Sequence, residues 1–319
     1  MPPRRVIGID AGGTKLLGGV VDEQLVVHHR VHRTWRGSDR AETLEIFVAA
    51  VEEIRAAAPD VEAVGFGIPA LVDHERGISV WSNHLPIDDV PFRALMSERL
   101  GLPVVVDNDT NAAILAEHRH GAARGFQHAV MLALGTGIGG GLVIDGQVHR
   151  GTRGFAAELG HITIDIHGED CPGGCPGRGC FESLVSGRAI AVAARRLGEQ
   201  EPGSTFGKLL AEGREIRGGL VTELAHDGDE QARAALASVG ARLGIGIAGL
   251  INALDPGVVV IGGGAVAAGD LLLDPARELV AQRSLPPGAE PPPILPARFG
   301  SESGMLGAAL LALDGRSAT

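Results

Sequence analysis

The chain has 319 residues, 45% of them apolar and 21% charged, enough to bury one large or two moderate cores. Its formal net charge of −11 argues against nucleic acid as the main partner, because a phosphate backbone selects Lys/Arg-rich surfaces. Three cysteines, an odd number, are a poor basis for a disulfide framework and point instead to a metal site in a reducing, cytoplasmic compartment. The opening residues lead straight into a β-rich run, so no signal peptide is expected, and no apolar run is expected to span a membrane.

Val6 to Asp22 organises the chain. One β-rich run enters a Gly-Gly turn and a second leaves it, which predicts a strand, a tight turn and a returning strand. The turn holds Asp10, Gly12, Gly13, Thr14 and Lys15: a carboxylate, a hydroxyl and an ammonium beside glycine amides suited to phosphate oxygens. It is not a Walker A loop, which needs four residues before Gly-Lys-Ser/Thr and a helix after it. An ordinary hairpin is the plain alternative. His28 to Arg33 alternates as a third strand, with solvated histidines. Ala41 to Ala58 has helical spacing, with Leu44, Phe47, Val48, Val51 and Ile54 on one stripe and Pro59 as the stop. Val61 to Ile68 reads as a buried strand, so strand, helix and strand form an α/β unit. The loop Trp81 to Pro86 offers Asn83 as a substrate contact, with turn chemistry as the alternative.

Phe92 to Leu100 is a short helix. Val104 to Val106 is an apolar strand that delivers Asp107, Asn108, Asp109, Thr110 and Asn111, after which Ala112 to His120 is helical. One residue suffices to cap a helix, and here five capping types stand in succession, which favours a site over a plain N-cap. Asp109 is the expected base and Asn108 a substrate hydrogen-bonder. Ala129 to Asp145 repeats the strand–turn–strand unit, with Gly135, Thr136, Gly137 and Gly139 in and after its turn. Two such turns facing each other could hold a polyphosphate. A third cluster, Gly262, Gly263 and Gly264, follows the buried strand Val258 to Ile261, at the strand end where open α/β sheets bind ligands.

Glu158 and His161 are three residues apart and share a face on a helical turn. Cys171, Cys175 and Cys180 lie in a Gly/Pro loop with no core of its own. Zinc takes four N/S ligands, and His161 would supply the fourth; free thiols are the alternative. A closed four-ligand site is structural. Beyond it, Ala189 to Leu197 and Gln231 to Leu254 read as helices, 203–229 as polar with short helices, and 285–296 as a rigid proline-rich loop. Ser303 to Leu313 reads as a closing helix and 315–319 as a frayed tail.

Taken together, the motifs resemble the ROK family of sugar kinases and sugar-responsive repressors, within the actin-like ATPase superfamily. The carrying residues are Asp10 to Lys15, Asn108-Asp109 with Asn111-Ala112-Ala113, Gly135 to Gly141, Glu158 to His161, and the cysteine cluster closing in Gly179-Cys180-Phe181-Glu182. The resemblance implies an α/β, two-domain actin-like ATPase (ribonuclease H-like) fold with a duplicated strand–turn–strand core and an interdomain cleft. It implies a small domain of 1–114 plus 303–319 and a large domain of 115–302 with the zinc loop. It implies Asp109 as the general base for a sugar hydroxyl, with Asn108, Glu158, His161 and Glu182 binding sugar hydroxyls. Asp10 to Lys15 and Gly135 to Gly139 are then the phosphate turns, Gly262 to Gly264 the adenosine turn, and His161, Cys171, Cys175 and Cys180 the zinc ligands. The family usually has one residue between its first two cysteines; here there are three, while the Cys175–Cys180 spacing is intact.

The implied reaction uses ATP with Mg2+ and a structural Zn2+ to phosphorylate a hexose, glucose at the 6-hydroxyl first, in a homodimer or dimer of dimers. Kinases for N-acetylmannosamine, fructose or N-acetylglucosamine, and polyphosphate as donor, are the alternatives. A sugar-sensing regulator of the same family would carry an N-terminal helix-turn-helix, whereas the first hairpin begins at residue 6, and the net acidity also disfavours it.

Overall fold

The computed structural model describes residues 3–12, 15–35 and 37–315. Gly13 and Thr14 of the first turn, and 316–319 of the expected tail, lie outside the described residues. The chain divides into two compact units: Met1–Gln127 with Gly141–Ala157 and Ala297–Thr319, and His128–Gly140 with Glu158–Pro296.

In chain order the first unit contains β1 (Arg5–Ala11), β2 (Lys15–Asp22), β3 (Val27–Thr34), α1 (Arg40–Ala57), β4 (Val64–Ile68), β5 (Leu71–Asp73), β6 (Ile78–Trp81), α2 (Phe92–Leu100), β7 (Val104–Asn108) and α3 (Asp109–His120). The closing helix at Ser303–Gly315 also belongs to it. The sheet order is β3-β2-β1-β4-β7: β1 pairs antiparallel with β2 and parallel with β4, which pairs parallel with β7. Strand alternation sends Ile7 and Ile9 into one core, with Phe47 of α1 and Phe92 of α2, and Val6 into another, with Ala112 of α3 and Met305. Phe66 stands edge-on to Phe92 at 5.2 Å. At the sheet margin, β3 alternates exposed His28, Arg30 and His32 with less exposed neighbours, and its pairing to β2 is irregular between Val20 and Val21.

The second unit contributes β8 (Ala129–Leu134), β9 (Ile138–Ile144), β10 (Gln147–Val148), α4 (Phe181–Leu184), α5 (Gly187–Gln200), α6 (Thr205–Ala211), α7 (Gly218–His226), α8 (Glu230–Leu254), β11 (Val258–Gly262), α9 (Asp270–Arg283) and β12 (Ile294–Pro296), although the end of β9 and β10 fall in the first unit's residues. The closing helix is therefore α10. This sheet runs β10-β9-β8-β11-β12. The order β2-β1-β4 is thus repeated as β9-β8-β11: a hairpin whose first strand takes a parallel partner.

The structure departs from the sequence reading in several places. Helix α3 begins at Asp109 rather than Ala112, because the Asn108 side chain caps it and leaves the next three residues to form its first turn. Residues 294–296, expected in a rigid loop, form β12, where Ile294 pairs with Val259; an edge position tolerates the neighbouring prolines. Helix α8 is long and apolar enough to cross a membrane by composition, contrary to expectation. Its Leu236, Val239, Leu243 and Ile247 are instead buried, and its Gly240 and Gly244 lie against the α9 backbone, which makes it a core helix.

The division into units also differs from a boundary at 114. Helix α3 runs unbroken through residue 120. Near its end the fully buried Glu117 accepts hydrogen bonds from Arg298 N (3.0 Å), Phe299 N (2.9 Å) and Ser303 Oγ (2.8 Å), which ties the returning chain to the first unit.

Helix α10 makes backbone contact on two sides. A Cβ on Gly65 of β4 would collide with the Ala308 carbonyl, and one on Gly307 would collide with the Ala112 carbonyl of α3. Gly307→Ala is expected to lower stability by about 1–3 kcal/mol through overpacking. The check is a urea unfolding curve, whose midpoint should fall while its slope stays unchanged.

Candidate functional site

In the first unit, Asp10 lies near the end of β1, half-buried, with its carboxylate against Gly304 at the start of α10. Gly12 follows the strand, and Lys15 is exposed at the first position of β2. At the β7–α3 junction Asn108 adopts φ −60°, ψ 144°, and its Oδ1 accepts from Thr110 N (2.9 Å) and Asn111 N (3.1 Å). Its Nδ2 donates to Ala70 O (3.3 Å). The capping role set aside in the sequence reading is therefore real for Asn108, and one amide N–H remains for another partner. Asp109 is half-buried at the first helical position, where its Oδ1 accepts from Thr110 N (2.7 Å) and Thr110 Oγ1 (3.1 Å).

Burial dominates the electrostatics here. It pushes the Asp10 carboxyl up to about 7, and the negative charge of Asp109 adds to the shift. Burial also raises Asp109, against the two hydrogen bonds from Thr110 and the positive influence of His84, while Asp107 pushes the same way as burial. Asp107 itself is only 1% exposed. Its Oδ2 accepts from Arg150 Nε (2.7 Å) and lies 2.7 Å from Nη2 in the same ion pair, and its Oδ1 accepts from Asn108 N (2.8 Å) and Asn111 Nδ2 (3.2 Å). Sequence reasoning missed Arg150, which no motif marks; His84 lies in the Trp81 to Pro86 loop, whose polar groups read in the sequence as a substrate rim or turn chemistry, with turn chemistry the plainer reading for His84. Asn83 is exposed in the loop where Ser82 Oγ accepts from His84 N (3.3 Å) and Leu85 N (3.1 Å).

In the second unit, the turn after β8 closes with Gly135 N donating to Gly137 O (2.9 Å) and leaves Thr136 exposed; Gly139 lies within β9. Gly187 N donates to Gly135 O (2.9 Å), which sets the N-terminus of α5, capped by Ser186, beside this turn. Turn amides and a helix N-terminus together favour an anion. Gly263, at φ +79°, packs against Leu134, so the turn of Gly262, Gly263 and Gly264 adjoins the same place. Glu182, 8% exposed on α4, accepts from Ile138 N at 2.8 Å and is thereby joined to the second turn.

Glu158 precedes a short 3-10 turn, and its Oε2 lies 3.9 Å from His161 Nε2. The other ring nitrogen faces the cysteines: Cys171 Sγ is 3.5 Å from His161 Nδ1, and Cys175 Sγ is 3.7 Å from Cys180 Sγ. All four ligand atoms lie within 4.8 Å of one another. Tetrahedral zinc with its usual bond lengths requires sulfur–sulfur separations of about 3.8 Å and sulfur–nitrogen separations of about 3.5 Å, so the donor set fits. The longer Cys171–Cys175 spacing is absorbed by Pro172, Gly173 and a left-handed Gly174 at φ +72°. Burial, with the neighbouring thiols, pushes Cys180 up to about 12, a shift that a bound cation would reverse.

The chain matches the ROK family over residues 6–315. It belongs to that family. This ROK protein is 34% identical over 313 residues to a glucokinase from Streptomyces coelicolor, covering 97% of each chain. It is 34% identical over 312 residues to a glucokinase from Thermotoga maritima, again with 97% of each covered. A solved ROK family glucokinase from Streptomyces griseus, in complex with glucose and AMPPNP, superposes with a TM-score of 0.89 at 34% identity, covering 98% of this chain and 100% of that one. The fold is the actin-like ATPase fold expected from the motifs.

The raised Asp10 pKa has a signed consequence. The folded value of about 7 exceeds the ordinary 3.8, so between them the folded protein keeps a proton that the unfolded chain has lost. This group therefore destabilises the fold progressively as pH rises from about 4 to about 7, and by a constant amount above that. Asp10→Asn removes the penalty. In Mg2+-free buffer the Tm of the variant relative to wild type should climb across that window and then level off. A difference independent of pH would contradict the assignment.

Proposed function

We propose that this ROK sugar kinase transfers the γ-phosphoryl group of ATP, bound with Mg2+, to the 6-hydroxyl of glucose, with Asp109 as general base. The carrying observation is Asp109 itself: a half-buried carboxylate, raised by that burial, fixed by Thr110 at the first turn of α3 and close enough to Asp10 for the two charges to interact. The glucokinase relatives and the neighbour bound to glucose and AMPPNP support the choice of sugar and donor.

A sugar hydroxyl is a weak nucleophile, so a carboxylate within hydrogen-bond reach of it is useful. As the sugar oxygen bonds to the γ-phosphorus, Asp109 accepts the hydroxyl proton. The bond from that phosphorus to the bridging oxygen breaks, and ADP keeps the electron pair. Asp10, Gly12, Gly13, Thr14 and Lys15 form the first phosphate turn. Asp10 is the residue to hold Mg2+, which neutralises phosphate charge when bound. Gly135, Thr136, Gly137 and Gly139 form the second turn beside the α5 N-terminus, and Gly262, Gly263 and Gly264 take the adenosine.

Asn83, Asn108, Glu158, His161 and Glu182 hold the sugar hydroxyls. Asn108 contributes through its remaining amide N–H, and Glu182 through Oε1, since Oε2 serves Ile138 N. His161 divides its ring: Nδ1 joins Cys171, Cys175 and Cys180 on a structural Zn2+, and Nε2 is left for the sugar on the side of Glu158.

Asp109→Asn is expected to lower kcat by about 10²–10⁴-fold, the usual range for a lost general base. Glucose binding, followed by calorimetry, should persist. ATP consumption against a panel of hexoses and N-acetylhexosamines tests the sugar; preference for N-acetylmannosamine, fructose or N-acetylglucosamine would replace glucose in this reading. Turnover unchanged in Asp109→Asn would remove the base.

Metal analysis should find about one zinc per chain, as a single four-ligand site requires. Cys180→Ser should lose the metal and weaken sugar affinity through His161. A fully active, metal-free preparation would count against the zinc.

A further inference from the structure

We propose that Arg150 is a positioning residue for phosphoryl transfer, acting through Asp107 on the turn that carries Asn108 and Asp109. The inference rests on the reading of Asp109 as the base.

Asp107 is a carboxylate with almost no solvent contact, one residue before the cap of α3. A buried carboxylate needs a charge partner and donors on its remaining lone pairs. The partner comes from 43 residues further along the chain. Arg150 grips Oδ2 through Nε and Nη2, each at 2.7 Å. That leaves Oδ1 for Asn108 N and Asn111 Nδ2. One oxygen therefore receives the fork, and the other pins the chain on both sides of Asp109.

Asn111 shows how much hangs on this carboxylate. Its side chain is buried, and its Oδ1 has no hydrogen-bond partner among the described residues, so its amide is oriented through Nδ2 and Asp107. His74 Nδ1 lies 3.7 Å from Asp107, but burial pushes the imidazole toward its neutral form. Arg150 is thus the permanent positive charge on Asp107. Both guanidinium contacts fall on Oδ2, so the carboxylate's rotation is fixed by this anchor together with the two donors on Oδ1; a lysine ammonium could meet Oδ2 but lacks the planar fork that also donates to Val148 O (3.4 Å).

Arg150 also opens the loop 149–157, which is closed on itself by Ala156 N donating to Arg150 O (3.0 Å). The same residue thereby couples this loop to the base turn. Losing it would let Asp107 rotate toward new donors and carry Asn108 N with it, shifting Asp109 by a fraction of an ångström while its own hydrogen bonds to Thr110 survive.

The test is steady-state kinetics on wild type, Arg150→Ala, Arg150→Lys and the double variant Asp107→Asn/Arg150→Met, with sugar affinity measured separately by calorimetry and the folded fraction by thermal denaturation. Arg150→Ala is expected to lower kcat by about a hundredfold, the effect of a small misplacement of a reacting group, with sugar affinity little changed. Guanidinium ion in the buffer should restore part of that loss, and Arg150→Lys should recover little of it. The double variant removes the buried charge and so folds, yet should remain slow because the grip is gone.

A double variant with wild-type kcat would overturn the proposal, as would an Arg150→Ala loss that equals its unfolded fraction. Wild type that turns over no sugar would sink the base reading and this inference together. Active wild type with unaffected variants would sink this inference alone.

Discussion

Two carboxylates of like charge, Asp10 and Asp109, stand within electrostatic reach of each other in a largely desolvated place. Left to themselves they would separate or take up a proton. Neither can move. Asp10 is held in a ladder between β2 and β4, and its carboxylate is backed by the start of α10. Asp109 is fixed by the cap of α3 and by Thr110. Burial first, and the charge of Asp109 second, are therefore answered at Asp10 by a proton held up to about pH 7, and a cation arriving with phosphates would take that proton's place. A site that is uncomfortable when empty is one that binds a charged ligand well, and much of the first unit can be read as the frame that sustains the discomfort.

The second unit solves a different problem. Its loop of residues 171–180 is rich in glycine and proline and has little apolar material to pack, yet it precedes α4, where Glu182 meets the backbone of the second turn. The proposed zinc ion on the four converging donor atoms gives the loop a fixed centre that side-chain packing cannot supply. On the proposed reading, the metal, the sugar contacts and the nucleotide turn are joined through short covalent and hydrogen-bonded paths: His161 through its two nitrogens, and Glu182 through Ile138.

Much of this was legible in the sequence. Both strand–turn–strand units declared themselves by glycine turns flanked by β-rich runs, because a hairpin is a local structure. The β7–α3 junction was legible from its excess of capping residues, and the cysteine cluster from its composition. Long-range pairings left no local trace. Arg150 sits in an unremarkable loop and acquires meaning only when the fold brings it to Asp107. Glu117 looked like an ordinary helix residue, and only tertiary structure reveals the backbone amides of Arg298 and Phe299 around it. Helix α8 was legible as a helix, yet its apolar run is as long as a membrane span, and burial rather than composition separates the two. The three-residue spacing between Cys171 and Cys175 could not be judged from sequence either, since backbone dihedrals at Gly174 bear on where the thiols go.

The charged margin at β3 bears on how this protein survives at high concentration. An outermost strand offers unsatisfied amides and carbonyls to any extended peptide that drifts past, including another copy in the course of folding. Here that ribbon presents imidazole and guanidinium groups outward, Arg30 is engaged by Glu302, and the pairing behind it is irregular at Val20 and Val21. A flat, apolar border would have been a template for fibrils; an irregular one that turns polar and charged groups outward resists being extended, so the hairpin that carries Asp10 sits one strand in from a margin that does not recruit strangers.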